Sequence, residues 1–417
     1  MTTLFDRWYA PTLQKKLARP YVHLLFGARQ TGKSTLLKAI LPAETLCIDL
    51  ADPVERTRLL AHPGEFAGMC RALPARPTPQ FVFVDEAQAV PAVFDAVQHL
   101  YDQDKTRWRF VLCGSSARKL RHAGANLLPG RAMLHHLHPL ITAEQPATTR
   151  PAQAAEPLVA LAGTTAAAVD KPFPAWDIVT RLAFGALPGI VVADEGDRAA
   201  LLGAFAAVHL EEEIRREALV KDWGAFVRFL QLAAAESGAR VNYAAISREA
   251  GVSLPTVKAY YQLLEDMFVG VRIPAFSKSS RKRLLSTPRF MLFDLGVRHA
   301  AAGLVPSKDT VLADPGPLFE QWVGLQLWRR LKYCGHGSLC HWHTQEGAEI
   351  DFIVEQAGIF TPIEVKWCEH PCATDARHVR VFLEEQGARA TRGYVVCRCA
   401  RPMEIAKNVM ALPWHCL

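Results

Sequence analysis

The stretch "GARQTGKS", residues 27–34, decides how the amino-terminal part of this chain folds. It follows the short apolar run "YVHLLFG" and leads into the helical stretch "STLLKAIL". The pattern G-x-x-x-x-G-K-[ST] therefore falls in a strand-to-helix turn, the context it needs. Gly27 and Gly32 let the backbone curl until successive N–H groups point at a common centre, and the following helix adds its positive end. Such a nest suits the phosphates of ATP. The cradle runs through Gly27, Ala28, Arg29, Gln30, Thr31, Gly32, Lys33, Ser34 and Thr35. Lys33 is placed to reach the β- and γ-phosphates, and the Ser34 hydroxyl to ligate Mg²⁺.

Outward from this turn the pattern repeats. "TLCIDL", "FVFVDEA" and "RFVLCGS" are short apolar runs of the kind that buried parallel strands show, separated by helical stretches such as "AVFDAVQHLYDQ". Alternating strand and helix predicts a parallel sheet covered on both faces. In "FVFVDEAQ" two acids end a strand: Asp85 would hold Mg²⁺ through water, and Glu86 would polarise an attacking water. The bland reading of the same pair is a strand-to-helix cap. "CGSS" ends the next strand, where Ser115 or Ser116 would sense the γ-phosphate or simply make a turn. In "LLPGR", Arg131 reads either as an arginine finger across a subunit contact or as a surface arginine.

The bulk numbers agree with this class. Half of the 417 residues are apolar and 21% charged, a globular balance with material for more than one core. No run of about 18 apolar residues occurs and the first 20 residues lack a secretory apolar segment, so the expectation is a cytoplasmic protein with no membrane partner. A net charge of +7 permits a polyanionic partner without demanding one. The ten cysteines make no paired C-x-x-C knuckles, and buried thiols are expected rather than zinc or disulfides. His136 and His138 fall on one strand face, as surface or capping residues do.

Residues 141–175, rich in Ala, Thr and Pro, read as a linker or insertion, and 176–240 as a helical lid or connector. In 241–310, "NYAAISREAGVSLPTVKAYYQLLEDMFVGVRI" carries Ile246 on a helix broken by Gly251. Ser253 then caps a second helix bearing Val257, Tyr261, Leu264 and Met267. Two helices around a Gly-containing turn, followed by a strand, form a winged helix-turn-helix pattern. Between Val271 and Arg298 stand seven Lys or Arg against one acid, Asp294. The basic run 278–283 would sit where a wing meets a DNA backbone, with Thr256, Lys258 and Tyr260 near a groove. The competing reading is a lid or protein contact with a solvated basic face.

"EIDFIVEQAGIFTPIEVKW", residues 349–367, reads as a hairpin whose two-residue turn, Ala357-Gly358, sets Asp351 opposite Glu364. Like charges across a ladder repel. A divalent cation between them would reverse that cost, and Lys366, two residues from Glu364, shares its face. The D…ExK constellation resembles the PD-(D/E)xK restriction-endonuclease-like fold, in which an upstream helix supplies another acid; Glu320 in "LFEQWVGLQ" matches that place. The resemblance implies Asp351, Glu364 and Glu320 as metal ligands and Lys366 as a catalytic partner. A salt-bridge cluster on a non-cleaving module is the alternative, and a one-residue slip would put Asp351 on the other face.

"GARQTGKSTLL", "VFVDEAQAVP", "LCGSSARKL", "LPGRAMLHHLHPL" and "FGALPGIV" resemble, in order and spacing, a bacterial and archaeal family of AAA-type ATPases with a C-terminal domain of unknown function. The segment from about 146 to 175 departs from it. The resemblance implies an α/β chain: an ASCE-type P-loop ATPase domain at 1–140, then lid and winged helix, then a small α/β nuclease-like domain at 311–417. It also implies ATP hydrolysis with Mg²⁺ and homo-oligomers. DNA binding coupled to ATP is one functional expectation; an ATP-dependent switch that recruits a protein partner without cleavage is the other.

Overall fold

The computed structural model describes residues 4–115, 130–148, 169–210, 214, 222–277, 286–344 and 347–417. They fall into two units, one of residues 7–138 with 266–268, the other of 1–6, 139–265 and 269–417.

In the first unit, strands β1 (Val22–Phe26), β2 (Leu46–Asp49), β3 (Gln80–Asp85), β4 (Trp108–Gly114) and β5 (Ala132–His136) form one sheet in the order β2-β3-β4-β1-β5. Every adjacent pair is parallel. Cover on both faces makes strands of the central apolar runs, and all of β1 and β4 is buried. The edge strands differ, β2 exposing Cys47 and Asp49 and β5 exposing Leu134, so the run "TLCIDL" is not the buried strand the sequence predicts. Helices Lys33–Ile40, Pro53–Ala61, Gly64–Arg71 and Ala92–Gln103 make the crossovers. Phe66, Phe94 and Phe110 lie among the strands' Val and Leu side chains, at most 1% exposed. Each buried ring contributes on the order of 2–3 kcal/mol.

The strand order has a consequence for chemistry. β4 lies between the strand that ends in the glycine loop and the strand that ends in Asp85-Glu86. Ser115, at the end of β4, is thereby set between the loop and the acids.

The second unit begins with helices Ile178–Phe184, Pro188–Val192 and Arg198–Ala204. Trp223–Ala235, Tyr243–Ala250 and Leu254–Asp266 follow, the first two capped by Asp222 and Asn242. Gly251, at φ 72, ends Tyr243–Ala250, and Ser253 Oγ accepts the Thr256 N–H at the start of the next helix. Strands β6 (Gly270–Ile273) and β7 (Arg289–Leu292) then pair antiparallel as a two-stranded ribbon. The expected placement of Tyr260 beside a groove is corrected: it is 6% exposed and packs against Phe226 and Phe229. The helix turns its apolar stripe inward, and Tyr260 lies on that stripe beside Val257 and Leu264. The basic run 278–283 and Ser116 lie outside the described residues, as does most of the Ala/Pro/Thr-rich stretch. The described ends of that stretch are built into this unit, with Ala147 bridged to Trp176 and Glu144 fully buried.

Helices Leu295–Ala301, Lys308–Ala313 and Pro315–Cys334 lead to a six-stranded sheet in the order β12-β13-β11-β10-β9-β8. Its strands are β8 (Ser338–His343), β9 (Glu349–Gln356), β10 (Ile359–Val365), β11 (Gly393–Cys397), β12 (Met403–Ala406) and β13 (Val409–Pro413). β8, β9 and β10 form an antiparallel meander, and β10 runs parallel to β11. Helix Arg377–Gln386 makes the crossover between β10 and β11. The hairpin turn is Ala357-Gly358, at φ 50 and 80, both left-handed as a tight I′-type turn requires. Ile363 pairs with Phe352, so the ladder carried one step further sets Glu364 against Asp351. Among the described residues no helix is long and apolar enough to cross a membrane.

Candidate functional site

The loop between β1 and helix Lys33–Ile40 is held open by backbone packing. At Gly27 a Cβ would stand 2.2 Å from the Leu137 carbonyl oxygen, so only glycine lets the loop pass this close to the chain leaving β5. Gly32 takes the left-handed conformation, φ 87, as it turns into the helix. Lys33 is buried, and its ammonium donates to the carbonyls of Gly27 and Ala28, both at 2.9 Å. Thr31 Oγ1 donates to the Ala28 carbonyl at 2.9 Å. The lysine thus rests on the carbonyls of its own loop.

Asp85 ends β3, 6% exposed, and accepts the Glu86 N–H at 3.0 Å. Glu86 sits at φ 50, a strained setting for a non-glycine residue that turns its carboxylate toward the end of β4. There Gln88 donates to Glu86 and, at 3.3 Å, to the Ser115 hydroxyl, which lies 3.5 Å from the Glu86 carboxylate. The candidates Glu86 and Ser115 therefore form one polar group with Gln88. Ser34 and Asp85 offer hydroxyl and carboxylate oxygens, the hard donors that fit Mg²⁺. Arg131 opens the approach to β5, and its guanidinium is paired with Asp102 at 2.7 Å, both side chains about one-third exposed.

The second unit gathers the other candidates. Asp351 and Glu364 are 7% and 6% exposed on adjacent strands, and Asp351 Oδ2 accepts the Val365 N–H at 2.8 Å. Lys366 donates to Glu364 Oε1 at 2.7 Å. Glu320, on helix Pro315–Cys334, joins them through a residue that the motif did not name: Arg289, at the start of β7. Its Nη1 is paired with Glu320 Oε1, and its Nη2 lies 3.7 Å from Asp351 Oδ1. Burial raises the pKa of Asp351 against the pull of Arg289. Burial and the facing charge of Asp351 raise Glu364 as well, opposed by Lys366. Burial alone would lower Lys366, but its bond to Glu364 and the two carboxylate charges raise it.

The donor set fits a hard divalent cation in one respect. Among the described residues, Glu364 Oε2 is buried without a hydrogen-bond partner, an unserved carboxylate oxygen beside a second carboxylate. It conflicts in another: Arg289 already serves Glu320 and Asp351. Among the described residues, no group of three or more His, Cys, Asp or Glu side chains is arranged to hold a metal ion.

Two contributors escaped sequence reasoning. Arg7 is buried and donates to the carbonyls of Thr31 (2.6 Å) and His138 (2.7 Å), bracing the glycine loop from behind. It sits in no motif, and nothing local distinguishes it from the basic residues that follow. Arg289 entered only as one basic residue among seven; its signal was a charge opening the apolar strand "RFML".

Residues 19–145 match a family described as AAA domain. The fold is that of an AAA-type P-loop domain. Residues 175–308 and 315–417 match two further families, each described as a domain of unknown function, DUF8612 and DUF4143. These matches support an AAA-type P-loop ATPase with C-terminal domains of unknown function, and they support ATP binding by the first unit. The uncharacterized proteins Mb2031c of Mycobacterium bovis and Rv2008c of Mycobacterium tuberculosis are each 25% identical over 364 residues, 87% of this chain and 74% of theirs. Among solved structures, a Drosophila ORC complex with AT-rich DNA and Cdc6 aligns at 11% identity and a TM-score of 0.23, over 74% of this chain and 90% of that one. A DNA polymerase III gamma subunit-related protein of Thermotoga maritima aligns at 12% and 0.22, over 62% and 97%. Neither structural likeness is close enough to bear on the argument.

Proposed function

We propose that this protein hydrolyses ATP with Mg²⁺ and uses the cycle to control how its second unit holds DNA. The observation that carries the first half is the Glu86–Gln88–Ser115 group beside a loop whose lysine is already bound to its own carbonyls. An acid held at a strand end, one strand removed from the phosphate loop, is where a water would be polarised for attack on the γ-phosphate. Gly27 to Thr35 would cradle the phosphates, Lys33 would neutralise them, and Ser34 and Asp85 would hold the Mg²⁺. The ion, when bound, offsets charge on the phosphates. Arg131, released from Asp102, would serve as a finger toward a neighbouring subunit in a homo-oligomer.

For the second unit the reading is a winged helix-turn-helix over 241–310 and a nuclease-like module over 311–417. The two helices about Gly251 and the β6–β7 ribbon support the former. The convergence of Glu320, Asp351, Glu364 and Lys366 supports the latter. A divalent cation held by the three carboxylates would activate water and offset charge on a phosphodiester. The Arg289 ion pairs favour a second reading, in which the module binds DNA without cutting it. Both are tested together by ATPase assays with and without duplex DNA on wild type and Lys33→Ala, followed by gel analysis of the DNA. DNA-stimulated phosphate release that Lys33→Ala abolishes supports the proposal. Release indifferent to DNA, with no retention of DNA in either nucleotide state, overturns its second half.

A further inference from the structure

Arg289 belongs to none of the elements that carry the carboxylates. It comes from β7, Glu320 from a helix, and Asp351 and Glu364 from the meander. Its side chain is 11% exposed, and its Cζ lies 6.0 Å over the Phe352 ring, a seating that leaves the planar fork facing two carboxylates at once. Lys366 serves one oxygen of Glu364, and among the described residues the other is buried with no hydrogen-bond partner. The three acids are thus under-served by the two cations present. They are what a divalent ion would seek, and a guanidinium stands among them.

We propose that Arg289 is the built-in cation of the Glu320–Asp351–Glu364 cluster and that a divalent ion enters the cluster only when the guanidinium leaves. The inference rests on the nuclease-like reading of these acids and adds its control. Arg289 already faces one oxygen each of Glu320 and Asp351, and its charge opposes a second cation drawn to the same pair. The guanidinium fork faces Glu320 and Asp351 at once, whereas an ion drawn toward Glu364 Oε2 would have to compete with it for Asp351. Occupancy by one excludes the other. The module in its ion-paired state is accordingly a binding module, and becomes competent for metal chemistry only after β7 gives up its first residue.

The test is Mn²⁺ binding to the full chain without nucleotide, followed by the paramagnetic resonance signal of free Mn²⁺. It compares wild type, Arg289→Gln and Arg289→Gln/Asp351→Asn, with circular dichroism to verify folding. The expected result is at least tenfold tighter Mn²⁺ binding in Arg289→Gln than in wild type, lost again in the double variant. If the Gln variant does not fold, Arg289→Met, which keeps much of the side chain's length but not its charge, is expected to bind at least tenfold tighter. Equal binding by wild type and the Arg289 variant, lost on Asp351→Asn, overturns the role of Arg289 and leaves the metal site standing. Absence of Mn²⁺ binding in every variant overturns both.

Discussion

Gly114 stands at the end of β4, where the backbone passes the amide of Gln88. A Cβ there would lie 2.4 Å from Gln88 Oε1 and 3.3 Å from its Cδ, while the next neighbour, Phe26 Cε1, is at an ordinary 3.8 Å. In Gly114→Ala the amide must retreat by about 1 Å to restore van der Waals contact, and it is the flexible partner. That displacement breaks the Gln88 bonds to Glu86 and Ser115 and frees the Glu86 carboxylate from its setting. With Glu86 polarising the attacking water as proposed, loosening it in this way should cost on the order of 10²-fold in rate. Stability should stay within about 1 kcal/mol of wild type, because the entropy recovered by replacing a strand glycine offsets the repacking. Nucleotide affinity should hardly move, since the loop around Lys33 is untouched. Steady-state phosphate release gives the rate, and calorimetry with ADP gives the affinity. The argument also requires that the glycine act through Gln88, so Gly114→Ala should cost nothing further in a Gln88→Ala background. Wild-type turnover in Gly114→Ala, or a full additional loss in the double variant, refutes the reasoning.

Other expectations concern folding and pH. His23 and His135 are buried together, Nδ1 to Nε2 at 3.1 Å. Burial pushes their pKa values down to about 4 and about 3. Both folded values lie below the unfolded value near 6.5, so the unfolded chain binds more protons in acid, and stability falls as pH falls below about 6.5. At pH 5.5 the loss should be roughly 1.4 kcal/mol per histidine, seen as a lower urea midpoint than at pH 7.5. Burial pushes His299 and His341 down likewise, to about 4 and about 3, so His135→Gln should remove about a quarter of the total loss, and an unchanged midpoint in wild type would contradict the burial argument. Asp294 is fully buried and accepts the N–H groups of Ala186 (2.6 Å) and Val297 (3.2 Å), with Gly185 pressed against its carboxylate. Asp294→Ala should cost about 3–5 kcal/mol by stranding those donors, and Asp294→Asn clearly less, as thermal unfolding will report.

Local signals made much of this legible. The glycine loop, the apolar runs of β1 to β4 and the Ala357-Gly358 turn are properties of contiguous residues, and the turn alone set the register that brings Asp351 against Glu364. What adjoins by tertiary packing was not legible. The place of β4 between β1 and β3 cannot be read from chain order, and it is what brings Ser115 to Glu86. Arg7 reaches Thr31 across 24 positions, and Arg289 reaches Glu320 across 31. In the sequence Tyr260 stands beside Lys258 near a predicted wing, yet Phe226 and Phe229, from an earlier helix, draw it into the core.

The central claim is that the loop of residues 27–34 holds the phosphates of ATP. Isothermal titration of Mg-ATP's nonhydrolysable analogue into wild type and Lys33→Ala, each verified as folded, tests it most directly. A saturable, one-site heat is expected for wild type, weakened at least tenfold in Lys33→Ala. No heat with wild type, or equal affinity in the two proteins, would contradict it.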